Sequence, residues 1–141
     1  MKHLLLIAIA FFALPVWACQ GVEITDGWIR QAPPGAGVMV AYAQFHNKTS
    51  QNRTITQISS KSFGAIEIHQ TVLANGESRM LMLDTLEIPA NSESHLEPGG
   101  IHLMLFRQQQ PQPQPGDTAV LNFRCGKGKA IKAKFTVKPA P

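Results

Sequence analysis

The sequence predicts an all-β fold, a sandwich or barrel of short strands. Three observations point there. Apolar and polar residues alternate in short runs, the period of a half-buried strand. Gly, Pro, Asn and Ser separate the runs at spacings of about 8–12 residues. No stretch beyond residue 18 carries a 3.6-residue period.

Val22 to Arg30 is the first predicted strand, and Pro33-Pro34-Gly35-Ala36-Gly37 is a loop. Val38 to His46 alternates well, with Met39 in its core, and Asn47-Lys48-Thr49-Ser50 ends it. Arg53 to Ser59, rich in Thr and Ile, reads as a third strand. Ala65 to Val72 is the next, and Ala74-Asn75-Gly76-Glu77 is a hairpin turn leading into Arg79 to Leu83. Leu86 to Ile88, Ser94 to Leu96, Ile101 to Phe106, Thr118 to Arg124 and Ile131 to Val137 complete the set. Gln108 to Pro115 is a Gln-Pro run whose prolines prevent sheet pairing, so it reads as an extended loop.

A length of 141 residues allows one domain. Residues 1–18 are set apart from it as a secretory signal peptide. Lys2 gives a basic start, Leu4 to Leu14 an apolar run, and Val16-Trp17-Ala18 a small-residue cleavage site. The domain is then 19–141 of an exported chain. No later segment is long and apolar enough to span a bilayer. Cleavage removes Lys2 from 13 basic residues and none of 9 acidic ones, leaving 12 − 9 = +3. That mild, dispersed charge gives no footprint for nucleic acid.

Cys19 and Cys125 both survive cleavage, and neither lies in a C-x-x-C. In an exported chain two cysteines most simply pair. Lipidation of Cys19 is the rival, although Trp17 is bulky where a lipobox wants a small residue; free thiols are the third possibility.

The chemistry concentrates in Ile101-His102-Leu103-Met104-Leu105. At strand period, Ile101, Leu103 and Leu105 face a core, while His102 and Met104 stand side by side on the other face. With His69 and Met80 they read H-x10-M-x21-H-x-M. Thioether sulfur is soft and neutral, imidazole borderline and neutral, and no carboxylate falls in the motif. Such a set selects Cu(I) over Zn, Mg or Ca. Met needs no deprotonation and forms no disulfide, which suits an oxidising compartment.

This spacing, with "VEIHQTVLANGESRM", "IPANSESHLEPGGIHLMLF" and "PGDTAVLNF", resembles the PCuAC family of periplasmic copper chaperones from Val22 to Val137. The resemblance implies a cupredoxin-like Greek-key sandwich. It also implies one Cu(I) per chain held by His69, Met80, His102 and Met104, and delivery to the dinuclear copper centre of a membrane oxidase, cytochrome c oxidase. A monomer is expected. Some members carry a His- and Met-rich C-terminal tail with extra copper sites; Val137-Lys138-Pro139-Ala140-Pro141 has no such ligands.

Taken singly, a Met on a strand is usually core and a His usually surface; the joint spacing of four is what favours ligands. Met82 shares Met80's face and reads as core packing, with a spare or shielding sulfur as the other reading. His46 and His95 lack partners at ligand spacing and read as surface, as do Asp26, Glu67, Asp84 and Asp117. A blue-copper site needs a Cys thiolate followed by His and Met, which Cys125 lacks. There is no G-x-S-x-G and no nucleophile–base pair, so no enzyme is expected. Copper scavenging or tolerance, or a metal-free β-sandwich interaction module, are the alternative functions.

Overall fold

A nine-stranded mixed sheet coils around the apolar side chains, with a two-stranded ribbon packed onto the same core. The computed structural model describes residues 19–140. In chain order the strands are β1 (Val22–Arg30), β2 (Val38–Asn47), β3 (Arg53–Ile55), β4 (Gln57–Ser60), β5 (Phe63–Ala74), β6 (Glu77–Leu83), β7 (Leu86–Ile88), β8 (Ser92–Leu96), β9 (Ile101–Gln108), β10 (Thr118–Arg124) and β11 (Ile131–Lys138). The signal peptide expected at 1–18 lies outside the described residues.

The large sheet runs β4-β10-β11-β1-β2-β8-β9-β5-β6, and β3 pairs with β7. Phe45 on β2 and Phe123 on β10 meet edge to face at 5.3 Å, although their strands are not neighbours in the sheet. That contact crosses the interior and makes the architecture a sandwich. Alternation puts Met39, Ala41, Ala43 and Phe45 of β2 inside, with Leu103 and Leu105 of β9 against them. Each fully buried Leu contributes roughly 1.5–3 kcal/mol through apolar burial.

Strand β2 forks. Val38 to Ala41 pairs with β9, and Ala43 to Asn47 pairs with β8. Its first half is thereby tied to the strand carrying His102 and Met104. On its other side, β1 bulges between Thr25 and Trp28. Gly27 belongs there because a Cβ would meet the Lys134 carbonyl at 3.0 Å and the Phe135 ring at 3.1 Å.

The strand expected from Arg53 to Ser59 is in fact two. It breaks at Thr56, whose N–H donates to the Arg124 carbonyl, so β3 joins the ribbon and β4 the main sheet. The Ala74–Glu77 hairpin turn is present, with Asn75 and Gly76 at φ 54° and 78°. Two positive φ values at the central residues match the twist of the flanking strands. The Gln-Pro run expected as a loop from Gln108 lies between β9 and β10 from Gln109 to Pro115, while Gln108 itself ends β9 opposite Phe63. Cys19 and Cys125 form a disulfide across a separation of 106 residues, with Cα atoms 5.2 Å apart.

Met82 departs from its expected core position, since it is 61% exposed. Strand β6 is the sheet's edge, and among the described residues no second layer covers that face of it. Met39 is buried, in line with its core reading.

Candidate metal centre

Strands β9, β5 and β6 lie side by side, and their register builds the site. His69 stands directly opposite His102, and Glu67 opposite Met104. On its other flank, β5 sets His69 opposite Met82 and Thr71 opposite Met80. Directly opposed residues share a face, so all four expected ligands occupy one face of three adjacent strands. His102, His69 and Met82 form the middle row. Met104 and Glu67 lie one row to one side, Thr71 and Met80 one row to the other. Rows are about 7 Å apart at ~3.4 Å per residue.

His69 therefore sits within β5 rather than near its end, and it faces Met82 across the hairpin, not Met80. The sequence spacing suggests Met80; the two-residue turn fixes a register that brings Met82 into the imidazole row.

The two rings lie 6.1 Å apart, tilted by 28°. Each has one nitrogen committed. His102 Nδ1 is 3.1 Å from the Gly100 carbonyl, which can only accept, so Nδ1 carries the proton and Nε2 keeps its lone pair. The same carbonyl accepts the Thr71 N–H. His69 Nε2 is 2.9 Å from Glu67 Oε2, so with the carboxylate ionised Nε2 donates and Nδ1 keeps its lone pair. That Nδ1 is buried with no hydrogen-bond partner among the described residues. A buried imidazole nitrogen without a partner is costly in a protein interior, and a metal ion is one way to satisfy it.

Exposure grades across the site. His102 is 6% exposed and Met104 half-buried. Met80 and Met82 on the edge strand are 59% and 61% exposed. A buried His102, a partly buried His69 and an open thioether rim give a site enclosed on one side and accessible on the other. Among the described residues, no group of three His, Cys, Asp or Glu is arranged to hold an ion. Here the sulfurs must complete the set, and a set finished by thioethers fits a soft monovalent cation.

Glu67 is a functional candidate that the sequence reading placed on the surface. The signal was available: Glu67 and His69 are two apart on a strand and so share a face. With its carboxylate beside the rings, the site carries one negative charge before any ion arrives. Neutral ligands alone would leave a monovalent cation uncompensated; Glu67 offsets it.

The chain matches the family described as "LpqE-like: Putative lipoprotein LpqE-like" over residues 22–137. It is 29% identical over 120 residues to the "Putative lipoprotein Lxx21020" of Leifsonia xyli subsp. xyli, covering 84% of this chain and 70% of that protein. Among solved structures it is similar to the copper-bound PCuAC domain from PmoF2, with TM-score 0.70, 20% identity, and coverage of 86% of this chain and 94% of that one. It is also similar to Cu(I)-bound DR1885 from Deinococcus radiodurans, with TM-score 0.66, 24% identity, and coverage of 84% and 80%. The fold is thus the cupredoxin-like fold of PCuAC domains, and the match across 22–137 makes the chain a member of the LpqE-like family.

Proposed function

We propose that this protein is an exported metallochaperone that binds one Cu(I) per chain. The observation that carries the reading is the pair of facing imidazoles, each with one nitrogen tied and one lone pair free, flanked by thioethers. His69 Nδ1, His102 Nε2 and the Met104 sulfur supply three donors. The fourth is a sulfur from β6, where Met80 carries the motif spacing and Met82 stands in the imidazole row. Two of the structural neighbours are themselves described as bound to copper, one of them to Cu(I).

Neutral thioethers hold copper less firmly than thiolates would, which favours release. The release side is the β6 edge. Leu73, Met80 and Met82 share the face of the imidazoles, are all more than half exposed, and form an apolar rim there. An acceptor's copper-binding loop can approach that rim and take the ion by stepwise ligand exchange, the exposed Met leaving first. We assign the acceptor role to the dinuclear copper centre of a membrane-bound cytochrome c oxidase, with the chaperone acting as a periplasmic monomer. The protein transports an ion and performs no bond-making chemistry on a substrate.

Incubating the Cu(I)-loaded protein with the apo copper-binding domain of such an oxidase tests delivery. Copper should move to the acceptor, whose dinuclear centre is visible by its absorption. Retention of all copper on the donor at equal concentrations would favour scavenging over delivery.

A further inference from the structure

The same outer face carries a second cluster of metal-binding side chains. Val40 of β2 lies opposite Met104, and its even-numbered neighbours along β2 share that face. Six residues on, roughly 20 Å along the strand, His46 stands between Glu23 of β1 and Glu93 of β8. The adjoining row is Thr25, Gln44 and His95. The strand pairings thereby gather residues that are far apart in sequence.

The Glu93 carboxylate bridges two imidazoles. Its Oε1 is 2.8 Å from His46 Nδ1, and its Oε2 is 3.3 Å from His95 Nε2. His46 Nε2 is 3.0 Å from the Thr25 hydroxyl, an outer contact that holds the ring in orientation. A cleft of about 380 Å³ lined by His46, Lys48, Asn91 and Glu93 opens beside the cluster.

We propose that His46, Glu93 and His95 form a second metal site, specific for a borderline divalent cation, Cu2+ or Zn2+. Two imidazoles and a carboxylate are a donor set for such ions, and the absence of sulfur removes the preference for Cu(I). Without an ion, a hydrogen bond with His46 and a 3.3 Å contact with His95 hold the carboxylate between the rings, and the three donors do not converge on one point. Two of the donor separations, 2.8 and 3.3 Å, are nonetheless near what is needed. Donors around a tetrahedral ion at ~2.1 Å lie about 3.4 Å apart. Glu93 is about half exposed, so a small outward rotation admits the ion as it displaces any proton between carboxylate and ring.

The charge balance also favours a cation. Glu23 flanks His46 and pairs with the Lys48 ammonium. Two carboxylates against Lys48 leave the cluster with one net negative charge. Between the two ions, the Irving–Williams order puts Cu2+ ahead of Zn2+.

The test is Cu2+ titration of the mature protein, preloaded with one equivalent of Ag(I), a redox-inert stand-in for Cu(I). Electron paramagnetic resonance should show one equivalent of Cu2+ with nitrogen hyperfine splitting. The double substitution His46→Ala/His95→Ala should weaken Cu2+ binding at least tenfold, and Glu93→Gln at least threefold. Circular dichroism checks the fold of each, and Ag(I) content should be unchanged. Wild-type protein that binds no Cu2+, or a double variant that binds it as wild type does, overturns the site. Loss of Ag(I) retention speaks against the His69–His102 site instead, so the two failures are distinguishable.

Discussion

Glu67 Oε2 accepts a hydrogen bond from His69 Nε2 at 2.9 Å, and this one contact fixes which nitrogen of His69 is free. The free atom is the buried Nδ1, which lacks a partner among the described residues. A carboxylate behind a ligating imidazole raises its basicity and locks its tautomer. Glu67→Ala should therefore weaken Cu(I) binding by about 10–100-fold. Glu67→Gln, which keeps an acceptor oxygen and loses the charge, should cost less. Competition against a Cu(I) chelator measures both, with circular dichroism to show that the fold persists. Equal affinities for wild type and Glu67→Ala would reduce Glu67 to a surface residue.

His102 and Met104 stand on β9, whose inner-face residues Leu103 and Leu105 are fully buried. Met80 and Met82 stand on the exposed edge. The core fixes the first pair before metal arrives, whereas the second pair can substitute for each other. Met104→Leu or His102→Ala should thus weaken Cu(I) binding more than Met80→Leu, and Met80→Leu alone by about threefold or less. The double variant Met80→Leu/Met82→Leu should lose more than the product of its single effects, a coupling that marks neighbours sharing one role. Additive small losses would assign the fourth donor elsewhere.

Cys19 and Cys125 close a loop across a separation of 106 residues. On the chain-entropy account such a link stabilises by about 4–5 kcal/mol. Cys125→Ser should lower the denaturant midpoint accordingly. Thiol counting on the denatured, unreduced wild type should find none free. The relatives are described as putative lipoproteins, yet a bridged Cys19 has no thiol left to acylate. Intact mass decides: a diacylglycerol on Cys19 would contradict the bridge.

Gly27→Ala should destabilise by about 1–3 kcal/mol, because its methyl group would press on the Lys134 carbonyl and the Phe135 ring. Chemical denaturation reads this directly. Copper affinity should be unchanged, since the bulge lies in β1, away from β5, β6 and β9.

What the sequence disclosed follows from what is local. Period-two alternation identified the strands and the face shared by His102 and Met104, because a strand alternates by its own geometry. Partner choice was hidden. Arg53 to Ser59 has one composition throughout, but its halves bond to different strands, and only tertiary pairing decides that. Met82 looked like core because an apolar residue beside Leu81 and Leu83 suggests burial; at a sheet edge nothing covers it. His46 looked isolated because Glu93 reaches it only through the β2–β8 pairing, whereas Glu93 and His95 are two apart on β8 and share a face. The four proposed donors could be named from spacing, but not the hydrogen bonds to Glu67 and Gly100 that leave each imidazole a free lone pair.

The most direct test of the copper site is X-ray absorption on the mature protein loaded with Cu(I) under reducing conditions. The account predicts one copper per chain with both nitrogen and sulfur in the first shell, and loss of nitrogen scattering in the double variant His69→Ala/His102→Ala. A shell of oxygen alone, or copper retained unchanged by that variant, would contradict it.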